Sequence, residues 1–160
     1  MSRKYWLLKS EPDIFSFDDL SKAPKRTTSW EGVRNYQARN FLRDEIKEGD
    51  GVLFYHSNTE DPSIVGVCEV VRNGYPDSFA FDSKSKYFDA DAKKKGVNPW
   101  YMVDIQAKKR LTVPLNRKAL ESDSTLKNMM VMKKGSRLSV QPVSPEEFAR
   151  VLVLGKPQAV

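Results

Sequence analysis

Val52-Leu53-Phe54-Tyr55-His56, the turn-rich stretch Ser57 to Ser63, and then Ile64-Val65-Gly66-Val67-Cys68-Glu69-Val70-Val71 decide the fold class. The first run is apolar at consecutive positions, so it places apolar side chains on both faces of a sheet, as a central strand does. The second is rich in β-branched residues and reads as another buried strand. The connection between them is short enough for an antiparallel pair. Upstream, Glu48-Gly49-Asp50-Gly51 stops a helical stripe of Tyr36, Arg39, Phe41, Leu42 and Ile46 that Asn35 is placed to cap. Further back, Tyr5-Trp6-Leu7-Leu8 reads as a buried strand, and Ser16, followed by Asp18 and Asp19, reads as the cap of a short helix through Leu20. Residues Ser21 to Ser29 read as loop.

Downstream, Asn73 to Pro99 is the least structured reading, with Phe79, Phe81 and Tyr87 among lysines. Tyr101 to Gln106 alternates as a strand, Pro114 ends that region, and Asn116 caps a short helix through Glu121. Leu138 to Val143 alternates again. Ser144-Pro145-Glu146-Glu147 combines an N-cap serine, proline at the first helical position and Glu at the third, a capping box that starts a helix ended by Gly155 and Pro157. Five or six strands with three or four short helices, in irregular order, give an α+β fold with a curved antiparallel sheet or small barrel. No linker divides the 160 residues, so residues 1–160 are expected to be one domain.

Composition narrows the chemistry. One histidine, His56, and one cysteine, Cys68, leave no multi-imidazole or multi-cysteine metal site, and no metal or cofactor is expected. No phosphate-cradling glycine motif and no nucleophile elbow is present. The apolar run after Met1 is too short for a secretory signal and no stretch spans a bilayer, so a reducing cytoplasm or nucleus is expected. The 27 basic residues exceed the 21 acidic ones by 6, which suits a phosphate-rich partner without requiring one. Asp77, Asp104 and Lys108 resemble the carboxylate–lysine pattern of metal-dependent nucleases, with Gln106 standing where a second charged ligand is needed. The segment Thr28 to Arg39 is the more informative one. Trp30 and Tyr36 offer faces on which bases stack, Asn35 offers a donor and an acceptor to a base edge, and Arg34 and Arg39 suit phosphate. The same residues also fit a bland role, Trp30 in the core and the arginines in solvent.

Lys4 to Pro12, Trp30-Glu31-Gly32-Val33-Arg34-Asn35-Tyr36-Gln37-Ala38-Arg39, Val52 to Ser57, Ile64 to Val67, Pro99 to Asp104 and Leu138 to Val143 together resemble an EVE domain, in order, over nearly the whole chain. The resemblance implies a PUA-like fold, a small, curved, mostly antiparallel β-barrel with short surrounding helices. It implies a non-catalytic reader of a modified base, chiefly a modified cytosine in DNA. The base pocket it implies draws on Lys9, Ser10 and Glu11, on Trp30, Val33, Asn35 and Tyr36, and on His56 and Ser57. Arg34, Arg39 and the run Lys93, Lys94 and Lys95 are the expected phosphate contacts. A separate nuclease or modification enzyme is an expected partner, the chain itself being a monomer in a bacterial cytoplasm or a eukaryotic nucleus. The alternatives are a binder associated with RNA modification and a metal-dependent nuclease.

Overall fold

The computed structural model describes residues 3–160. Seven strands form one sheet: β1 (Tyr5–Ser10), β2 (Thr27–Ser29), β3 (Gly51–His56), β4 (Ser63–Pro76), β5 (Tyr101–Asn116), β6 (Val140–Val143) and β7 (Pro157–Ala159). Their order is β2-β5-β4-β3-β1-β6, with β7 also on β5. β1 and β3 run parallel, with Leu7 opposite Leu53, and the other pairs are antiparallel. No ladder joins the end strands β2 and β6 among the described residues, so the sheet is open where a closed barrel was expected. Five short α-helices complete the α+β fold: α1 (Phe17–Lys22), α2 (Tyr36–Asn40), α3 (Ala90–Lys95), α4 (Arg117–Glu121) and α5 (Pro145–Gly155).

The consecutive apolar residues of the central strands have a simple cause. Trp6, Leu8, Val52, Phe54, Cys68 and Val70 point to one face and build a core with Phe17 and Leu20 of α1 and Ala38 of α2. Leu7, Leu53 and Val67 point to the other face and meet Leu120 of α4 and Phe148 and Val151 of α5. Both faces are therefore covered, and the alternation of strand side chains shares each strand between two cores. Burial pushes the Cys68 thiol pKa up, as befits a small apolar core residue.

The expected caps form. Ser16 accepts from Asp19 N at 3.0 Å while the Asp19 carboxylate takes Ser16 N at 2.8 Å, and Ser144 and Glu147 make the same reciprocal pair at the start of α5. Asn35 and Asn116 cap α2 and α4. The α2 stripe continues through a π-helical turn, Phe41–Glu45. Other stretches depart from expectation. Residues 21–29 contain a 3-10 turn, Pro24–Arg26, and strand β2, whose pairing with β5 no local pattern announces. Residues 73–99 are ordered by the end of β4, a 3-10 turn at Ser78–Phe81 and α3. Pro114 does not end β5: the ladder with β4 passes from Arg110 to Leu115, and proline sits in the skipped stretch, where its missing N–H costs no ladder bond. No sequence pattern announces strand β7, which pairs with β5.

Phe17 docks helix α1 through both its ring and its backbone. The Phe17 ring occupies the place where a Cβ on Gly66 would lie, so only glycine fits there. The Phe17 N–H donates to His56 Nε2 at 3.1 Å. The imidazole is half-buried and is held below its ordinary pKa by burial, with the Asp18 charge opposing and Arg110 reinforcing the shift. The acceptor role requires the neutral ring. Such a contribution to stability is complete above about pH 6.5, the free imidazole value, and is lost as the pH falls through that value toward the lower folded pKa. Wild type should therefore lose more stability between about pH 7 and pH 5 than His56→Gln, which keeps an acceptor but cannot titrate. Denaturant midpoints measured across that range test it, and parallel curves would remove His56 as the cause.

Candidate functional site

A cleft of about 580 Å³ opens where β1 and β3 end. Because those strands are parallel and in register, Ser10 lies opposite His56, and Ser57 N donates to Ser10 O at 2.9 Å. Lys9, Ser10, Glu11 and Ser57 thus share one wall. Thr28 and Ser29 of β2 and the segment Trp30 to Arg34 form a second wall, Lys86 and Tyr87 a third, and Arg137 and Ser139, just before β6, the rim.

The second wall is fixed from beneath. Trp30 is 8% exposed, edge-on to Phe54 with ring centroids 5.5 Å apart, and its backbone N–H donates to Val103 O at 2.7 Å. It is both core residue and cleft lining. Gly32 adopts φ +86°, and the Tyr87 ring lies where its Cβ would be, so the loop and Tyr87 close on each other through a position that admits only glycine. Fully buried Asp77 ties them together: Oδ2 accepts from Gly32 N and from Arg34 Nη1, both at 2.9 Å, and Oδ1 accepts from Phe79 N at 3.0 Å. Arg34 also donates through Nε and Nη2 to Tyr87 O, at 3.2 and 2.8 Å, and through Nη1 to Val33 O at 3.0 Å.

Of the expected pocket residues, Lys9, Ser10, Glu11, Trp30, Val33 and Ser57 line the cleft. Asn35, Tyr36 and His56 do not. The Asn35 amide oxygen is occupied by Ala38 N at 3.0 Å, and His56 faces α1. Tyr36 lies outside, stacked on Trp100 with centroids 4.8 Å apart and with the Arg39 guanidinium 5.0 Å from its ring. Arg39 also donates to Pro99 O at 2.7 Å. Arg34 lines the cleft but is engaged within the protein. Lys93, Lys94 and Lys95 stand exposed on α3, outside the cleft lining. Lys86 and Tyr87 belong to the basic, aromatic stretch 73–99 and Ser29 to the Thr28–Arg39 segment, but none of the three is an expected pocket residue, and neither are Arg137 and Ser139. Thr28 and Ser29 adjoin the Trp30 segment, and Lys86-Tyr87 is an aromatic–basic pair, but only the tertiary fold brings Arg137 to them.

Polar groups in the cleft are unevenly committed. Ser10 Oγ donates to Phe15 O, the Glu11 carboxylate accepts from Asn58, and Glu31 accepts from Ser29 Oγ at 2.7 Å. Lys9 is half-buried, and burial lowers its pKa from the usual lysine value. The nuclease-like residues are spent separately. Asp77 holds Arg34, Asp104 accepts from Tyr75 OH, and Lys108 lies 3.6 Å from Glu69. Burial first, and then Asp104, push the Tyr75 pKa up to about 12. No group of three or more metal-ligating side chains occurs among the described residues.

Comparison with known proteins follows the same outline. Thymocyte nuclear protein 1 of Gallus gallus is 46% identical over 94% of this chain and 68% of its own length. A structure of a hypothetical protein from Leishmania major superposes with a TM-score of 0.88 at 48% identity, covering 97% of this chain and 96% of that one. The human THYN1 protein in complex with 5-methylcytosine-containing DNA superposes with a TM-score of 0.87 at 39% identity, covering 97% and 99%. The EVE domain family matches residues 4–154, from the start of β1 to the end of α5, and the chain belongs to that family.

Proposed function

We propose that this chain is a non-catalytic nucleic-acid-binding module whose cleft receives a modified base, a modified cytosine in DNA. The observation that carries the reading is the likeness, at a TM-score of 0.87 over 97% of this chain, to the human THYN1 protein solved with 5-methylcytosine-containing DNA. The cleft supports it. Trp30 offers an aromatic face, and the Glu11 carboxylate is suited to accept from an exocyclic amine such as cytosine N4. The cleft cannot enclose a base that stays stacked in a duplex, so the base enters flipped out or from a single strand. We read the fold as PUA-like in the same sense, residues 1–160 acting as one EVE domain, of which residues 1 and 2 lie outside the described residues. The module works as a monomer, in a eukaryotic nucleus or a bacterial cytoplasm, and any cleavage or modification of the nucleic acid falls to a separate enzyme.

Trp30→Ala does not test this cleanly, because a buried tryptophan removed from a core costs about 3–5 kcal/mol of stability. Glu11→Gln is the better probe. It should weaken binding of a 5-methylcytosine oligonucleotide by about 1–3 kcal/mol with little change in melting temperature. Unchanged affinity on titration would take Glu11 out of the base site.

Replacing Lys93, Lys94 and Lys95 with Gln should weaken methylated and unmethylated oligonucleotides alike and flatten the salt dependence, as for contacts made to phosphate alone. Titrations at several salt concentrations test this, and a loss confined to the methylated strand would place α3 at the base instead.

A further inference from the structure

We infer that the cleft takes a whole nucleotide, Lys9, Lys86 and Arg137 holding the phosphate of the same nucleotide whose base lies against Trp30. The inference rests on the base-binding reading above and names the groups that grip the backbone at that site. Four cationic side chains line the cleft: Lys9, Arg34, Lys86 and Arg137. Arg34 is spent on Asp77 and on the carbonyls of Val33 and Tyr87. The other three make no side-chain hydrogen bond or ion pair among the described residues; Lys86 Nζ only lies 5.1 Å from the centre of the Tyr87 ring. Two carboxylates, Glu11 and Glu31, share the lining and accept from Asn58 and Ser29; neither pairs with a cation among the described residues, so three unpaired cations stand against two carboxylates. The three cations come from the end of β1, from the segment before α3 and from the approach to β6, and they converge on one opening. Lys9 is half-buried, and a partly desolvated ammonium without an anionic partner is costly. A phosphate, singly charged as a diester within a strand and close to doubly charged as the free monophosphate, supplies the missing anionic partner through charge-assisted bonds. The cleft's polar and aromatic sides then divide the nucleotide between them.

Calorimetric titration with 5-methyl-2′-deoxycytidine, its 5′-monophosphate and inorganic phosphate tests this on wild type and on the double variant Lys86→Gln/Arg137→Gln. Both replaced residues are exposed, and thermal melting verifies that the variant folds. The monophosphate should bind wild type at least about tenfold more tightly than the nucleoside, and the variant should close that gap to within about threefold. Equal affinities on wild type, an undiminished gap in the variant, or no monophosphate binding at millimolar concentration would each overturn the inference. So would inorganic phosphate binding as tightly as the nucleotide, which would make this an anion site without a base. Failure of the underlying reading shows elsewhere, as equal affinity of wild type for methylated and unmethylated oligonucleotides.

Discussion

The cleft depends on one buried carboxylate. Asp77 follows the last residue of β4, and its side chain is fully buried. Its side-chain oxygens take the Gly32 and Phe79 amides and the Arg34 guanidinium, its carbonyl accepts from Asn98 Nδ2 at 2.8 Å, and its own N–H donates to Trp100 O at 2.9 Å. Two stretches distant in sequence, Gly32–Arg34 and Asn98–Trp100, are therefore fixed to one residue. A buried ion pair of this kind is not a gain over an apolar filling, because two charges must be desolvated. Its value lies in direction. Removing either partner leaves an uncompensated charge, at about 3–5 kcal/mol, so the Trp30–Arg34 loop has one low-energy placement against Tyr87.

The opposite wall comes from the sheet. Antiparallel neighbours place the end of one strand beside the start of the next. The β1–β3 pair is the exception, and its parallel register brings two strand ends together, delivering Lys9-Ser10-Glu11 and Ser57 to the same edge. These residues end or directly follow strands buried on both faces, and a site on such a scaffold is held with little freedom to lose when a ligand arrives. The ligand-facing groups are thus few, while the groups that hold them are many.

This division explains what could be read from the amino-acid sequence. The two central strands, the helix from Ser144 and the caps at Ser16, Asn35 and Asn116 are local signals, each contained within a few residues, and each forms. Strands β2 and β7 are three residues long and exist only because β5 offers them an edge, so nothing within Thr27–Ser29 or Pro157–Ala159 announces them. The stretch 73–99 looked like open loop because its order comes from Asp77, Asp89 and Asn98, polar residues that also mark loops. Asp89 caps α3 and accepts from Trp100 Nε1 at 2.8 Å. At the cleft, the Lys9–Glu11 wall and Trp30 were visible as motifs. Arg137 was not, because a basic residue in a polar run gains meaning only from what stands across from it.

Aromatic and basic residues close together in sequence invite a ligand-binding reading, and here the same chemistry serves the protein first. Arg34 lies 5.3 Å from the Trp100 ring and 5.7 Å from the Tyr87 ring, and Arg39 covers Tyr36, which stacks on Trp100. Planar guanidinium groups suit such use, since they satisfy several carbonyls in fixed directions and lie flat on rings. Arg34 and Arg39 thereby stop being free charges: Arg34 ties Tyr87 to the Trp30 loop, and Arg39 ties α2 to Pro99. The cleft cations with no internal partner among the described residues are two lysines on flexible stems and one arginine. Rigid groups build the cleft and adaptable ones meet the solvent. That order is what a site needs if the base is to be selected by shape while the backbone is held by charge.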